Sequence, residues 1–96
     1  MKLLLLIYNG STPDRISALL ETHGARGYTE LAHAHGVGTT GRAEGSRAWP
    51  GDSSVFFTMV PDDRAAELRS AVRAYRARAD AGERLHVATM PLEHFE

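Results

Sequence analysis

Leu3-Leu4-Leu5-Leu6-Ile7-Tyr8, closed by Asn9-Gly10, is the stretch on which the reading of this chain turns. It is a short, unbroken apolar run with turn residues behind it. Its length and that ending favour a strand buried on both faces over a helix fragment. A secretory leader would need an apolar region of about 7–15 residues and a small-residue cleavage site. Here the chain passes straight into a helix start. Ser11-Thr12-Pro13-Asp14 supplies a hydroxyl cap, a proline in the first turn and an acid at the positive end of the dipole. Ile16, Leu19, Leu20 and His23 then recur at helical spacing, and Gly24 is the stop.

Gly27 precedes a second strand over Tyr28 to His35. Gly36 to Asp52 is irregular, with five glycines and one proline, a composition that resists regular structure. Ser54 to Val60 is strongly β-prone. Pro61-Asp62-Asp63 opens a second helix, its acids read as helix-start residues rather than a catalytic pair. Ala65, Leu68, Val72 and Tyr75 carry its apolar stripe. Asp80-Ala81-Gly82 ends it, Leu85 to Met90 is a fourth strand, and Pro91 to Glu96 is a tail. The order β-α-β-β-α-β predicts an α+β, ferredoxin-like domain over residues 1–96. Its four-stranded antiparallel sheet carries two helices on one face, with the first and third strands central.

Those two strands carry a further implication. A sheet with one wet face should alternate apolar and polar residues. The first strand does not. The third has Val55, Phe57 and Met59 on one face and Phe56 and Val60 on the other. Both helices are spent on a single face, so copies of the same chain are expected to cover the second one.

Composition bounds the function. With 96 residues the chain is one domain. A formal net charge of −1 gives no field to draw it to nucleic acid or anionic membrane. The absence of cysteine removes disulfides, thiolate metal sites and cysteine nucleophiles. No stretch approaches the ~20 apolar residues of a membrane span, so a cytoplasmic protein is expected. No nucleophile–base constellation, phosphate P-loop or His-Glu-x-x-His occurs, and no enzyme is expected.

The layout resembles that of the PII-like signalling proteins over nearly the whole chain. The resemblance rests on Lys2–Tyr8, Gly27-Tyr28-Thr29, Gly36-Val37-Gly38, Val55–Pro61, and Arg84-Leu85-His86-Val87 leading to Met90-Pro91-Leu92-Glu93. Gly45-Ser46-Arg47-Ala48-Trp49-Pro50-Gly51 is similar to a subgroup with a short loop ending in Trp-Pro-Gly. The resemblance implies a homotrimer with an adenine nucleotide or related anion as effector between subunits. It also implies signalling to a membrane transporter or enzyme target through the Gly36–Asp52 loop. The resemblance points to Gly36, Gly38, Gly82 and Arg84 as ligand-binding residues, with Thr39 next to the glycine pair. Arg42, Arg47 and Arg84 are candidates for an anion because guanidinium forks match phosphate and carboxylate. Trp49 is a candidate because its ring can stack on a ligand base or anchor a partner.

Departures from the family pattern are specific. Gly36-x-Gly38 is followed by Thr39-Thr40-Gly41 where the family has Arg-Gln-Lys. The family's Gly-Asp-Gly-Lys reads Ala81-Gly82-Glu83-Arg84, with an acid intruding. Both weigh against ATP binding of the usual PII kind. Within the loop, Trp49 is expected to anchor a fixed base and Thr39–Arg47 to move.

His33 and His35, two apart on a predicted strand, would project from one face about 6.5–7 Å apart. With a third ligand from His86, Glu30 or a neighbouring subunit they could hold a divalent metal, the alternative being a metal-binding trimer of the CutA type. Arg69, Arg73 and Arg76 read as an ordinary solvated face of the second helix.

Overall fold

The computed structural model describes residues 1–35 and 53–96. Its elements are β1 (Lys2–Asn9), α1 (Asp14–Thr22), β2 (Thr29–Ala34), β3 (Ser53–Val60), α2 (Asp62–Ala77) and β4 (Arg84–Pro91). The strands form one antiparallel sheet in the order β2-β3-β1-β4. This is the ferredoxin-like arrangement, and the two most apolar strands are its centre.

Period-2 alternation decides what each strand buries. Leu4, Leu6 and Tyr8 of β1 and Phe56 and Val60 of β3 are buried toward the helices. Leu85 of β4 joins them, against Ile16, Leu19 and Leu20 of α1 and Ala65, Leu68, Ala71, Val72 and Tyr75 of α2. Each large side chain so buried contributes about 1.5–3 kcal/mol. Ser54 and Thr58 are the buried polar residues of this face, and the Thr58 hydroxyl donates to the carbonyl of Gly27 at 2.7 Å.

The opposite face carries a second apolar set in three cross-strand rows. Leu31, Val55, Ile7 and His86 form one, Thr29, Phe57, Leu5 and Ala88 the next, and Met59, Leu3 and Met90 the third. Neither helix packs there. Ile7 is 36% exposed, Met90 38% and Leu31 52%, so these apolar residues face outward from the subunit.

The helix starts and stops are partly as expected. Gly24 follows α1 at φ +87, the left-handed conformation that ends a helix. The hydroxyl cap is not formed. Pro13 is the capping residue and no side chain bonds the first turn of α1. The Thr12 hydroxyl is instead 3.0 Å from that of Tyr8. Asp62 and Asp63 lie in the first turn of α2, also without a side-chain cap. Among the described residues no helix is long and apolar enough to cross a membrane.

Candidate functional site

Chain order and topology bring several connections to one end of the sheet. β1 ends there at Asn9, β2 at Ala34, β3 begins at Ser53 and β4 at Arg84. The segment 36–52 is therefore tethered at that end by Ala34 and Ser53, which pair with each other. Arg84 pairs with Asn9, whose amide donates to the Ser53 hydroxyl. Arg84, Asn9 and Ser53 make a polar row across three strands, spanning about 10 Å at the usual strand spacing. Of the expected ligand residues, Gly82 and Arg84 are at this end. Gly36, Gly38, Thr39, Arg42, Arg47 and Trp49 lie outside the described residues, as does the expected division between a moving stretch and a fixed base.

Gly82 adopts φ +96, in the turn between α2 and β4. Beside that turn is a hollow of about 420 Å³ between the end of α2 and the edge strand β4. Arg76, Arg84 and His86 line it, with Glu83 at its inner wall. Arg76 also donates to the Leu85 carbonyl at 3.4 Å, tying the helix to the strand. Arg76 is exposed, as expected of the outer face of α2, and it also lines the hollow.

Behind the hollow is a closed polar cluster. The side chain of Glu83 is only 5% exposed. Its Oε1 accepts from the hydroxyls of Tyr8, at 2.8 Å, and Tyr75. Its Oε2 accepts from the Asp80 amide at 2.8 Å and lies 3.9 Å from the Arg15 guanidinium. Tyr8 in turn accepts from the Thr12 amide at 3.2 Å. The Tyr75 hydroxyl holds the Glu83 carboxyl below the usual carboxylate range, with the Asp80 amide, Tyr8 and Arg15 acting in the same direction. Burial, together with that hydrogen bond to Glu83, pushes the Tyr75 phenol up to about 12.

None of this cluster was anticipated beyond the apolar placing of Tyr8 and Tyr75. A signal was available: each ends an otherwise aliphatic stripe, and a buried tyrosine hydroxyl needs a partner.

The histidines do not form the expected pair. β2 is irregular between Leu31 and Ala34, and His33 has φ +60. That break interrupts the alternation that would place His33 and His35 on one face, and His35 falls beyond the strand. His86 lies on the opposite edge strand, three strand spacings or about 14 Å away, so it cannot complete their site within one subunit. Among the described residues no group of three His, Asp or Glu could hold a metal ion.

No family model matches the sequence, and no curated protein matches it. Solved structures do match. CPII from Thiomonas intermedia K12, bound to ADP and bicarbonate, aligns with a TM-score of 0.67 over 93% of this chain and 84% of its own. The fold is that of the PII-like proteins. The apo form of CPII gives a TM-score of 0.65 over 93% of this chain and 87% of its own. A PII-like signalling protein from Thermus thermophilus gives 0.63, covering 93% and 84%. Identities are 21%, 17% and 19%, so the likeness speaks for the PII-like fold and not for individual ligand contacts.

Proposed function

We propose that this chain is a PII-like regulatory protein, not an enzyme, that takes a small anionic effector at the sheet end marked by Gly82 and Arg84. The observation that carries this reading is the convergence at that end. The 36–52 segment is tethered beside the polar row of Arg84, Asn9 and Ser53, and the hollow lined by Arg76 and Arg84 opens next to it. Guanidinium groups match phosphate and carboxylate oxygens. CPII, which shares the fold, was solved with ADP and AMP, which supports an adenine nucleotide as effector here.

In this reading three copies associate through the outward apolar rows of the sheet, and the effector sits between subunits. The 36–52 segment, with Gly36, Gly38, Thr39, Arg42, Arg47 and Trp49, completes the site and meets the target, a membrane transporter or an enzyme. The protein works in the cytoplasm.

The test is thermal unfolding with ADP, AMP, ATP and bicarbonate, singly and paired. A ligand at a hundred times its Kd adds about 2.7 kcal/mol, a rise in Tm of roughly 10 °C or more for a domain of this size. An unchanged Tm with every nucleotide at millimolar concentration would reject the nucleotide-sensing reading.

A further inference from the structure

In sequence, Glu83 is an acid set beside the arginine expected to meet an anion, and its charge should oppose that anion. The structure turns the carboxylate the other way. Its four partners come from β1, α1, α2 and the turn itself: Tyr8, Arg15, Tyr75 and the Asp80 amide. Every oxygen is occupied, and the arginine offsets the charge. Successive residues of an extended strand project to opposite sides. Leu85 is buried toward the helices, so Arg84, the first residue of β4, is set on the outward side next to an inward-held Glu83. On its other flank is Gly82, at a φ of +96 that glycine adopts without strain. Apart from Glu83, no acid among the described residues lines the hollow, and Arg76, Arg84 and His86 do.

We infer that Glu83 is the positioning residue of this hollow: held by Tyr8, Tyr75 and Arg15, it fixes the turn at residues 80–84 and aims Arg84 outward to receive an anionic ligand group. The ligand half of this statement rests on the function proposed above; the positioning half does not.

Two measurements separate them. The first needs no ligand: amide hydrogen exchange on wild type, Glu83→Gln and Tyr75→Phe. The expected result is exchange at residues 79–85 accelerated at least tenfold more than at the amides of Leu4, Leu6 and Val72, which report the loss of global stability alone. Unchanged exchange in the turn, or equal acceleration throughout the core, would overturn the positioning role. The second is calorimetric titration with ADP, well below the Tm of every variant. Glu83→Gln and Arg84→Ala should each weaken binding at least tenfold, and Glu67→Gln, far from the hollow, less than twofold. Were Glu83 merely an intruding acid, its removal would tighten ADP binding, and that outcome also overturns the inference. Should wild type bind no ADP, the nucleotide reading fails, and the exchange result still decides the role of Glu83. Tyr75→Phe keeps the carboxylate and provides the same comparison if Glu83→Gln does not fold.

Discussion

Tyr75 gathers more consequence than any other side chain described. It is 6% exposed, donates to Glu83, and has the Arg78 guanidinium 5.9 Å above its ring. Tyr75→Phe keeps the ring and removes one donor to a buried carboxylate. The expected loss is about 1.5–3 kcal/mol, measured by urea unfolding. Two pH limits follow from the same contact. The Glu83 carboxyl is depressed below its ordinary 4.5, so its contribution is complete above that value and is lost as pH falls through the lower, folded-state value. The Tyr75 phenol is raised from 10.0 to about 12, so its contribution is complete below pH 10 and is lost as pH rises between those values. Glu83→Gln should flatten the acid limb of the stability profile. In a spectrophotometric titration of folded protein, Tyr75→Phe should remove a late tyrosine ionisation near pH 12.

The elements were legible because apolar spacing and turn residues agreed along the chain. Each lies within two residues of its expected position. The βαββαβ order and the central placing of β1 and β3 followed from the same signals. What failed was local. The Ser11-Thr12 cap was expected from residue type alone, but Tyr8, buried four residues earlier, captures the Thr12 hydroxyl. The His33/His35 pair assumed a regular strand, and an irregularity in β2 leaves no visible mark in Leu31-Ala32-His33-Ala34. Of the residues expected to meet a ligand, Gly82 and Arg84 were singled out through family resemblance and lie at the turn and strand start beside the hollow. The Tyr8–Glu83–Tyr75 cluster joins residues 75 positions apart in the chain, which no local pattern encodes. At Gly24 the local rule does hold. Besides its φ of +87, an added Cβ would come within 2.8 Å of the Arg64 side chain. Gly24→Ala should cost about 1–2 kcal/mol, again read from urea unfolding, with the fold retained.

For the molecule as a whole, the outward sheet face sets the expected assembly. Apolar rows spread across all four strands form a contiguous patch of the kind that marks an interaction site. Light scattering at micromolar concentration should give three times the 10.5 kDa chain mass. Phe57 stands in the middle row, beside Leu5 and Thr29. Phe57→Glu would bury an unpaired charge in each interface and should reduce the measured mass to that of one chain. The helix-side core, which Phe57 does not enter, should keep far-ultraviolet circular dichroism close to wild type. A wild-type monomer, stable and well folded, would remove the trimer and the inter-subunit site with it.

The Leu92 amide donates to the Met1 carbonyl at 3.2 Å. Residues 1 and 92 thus meet beside the start of β1, one strand length from the row of Arg84, Asn9 and Ser53. At about 3.3 Å per residue that separation is roughly 25 Å. For protein engineering, a fluorescent reporter joined at either end would leave the hollow unobstructed. New ends opened by circular permutation between Ala81 and Gly82 would instead sever the turn beside Glu83, while a short linker between residues 1 and 96 preserved the rest of the sheet.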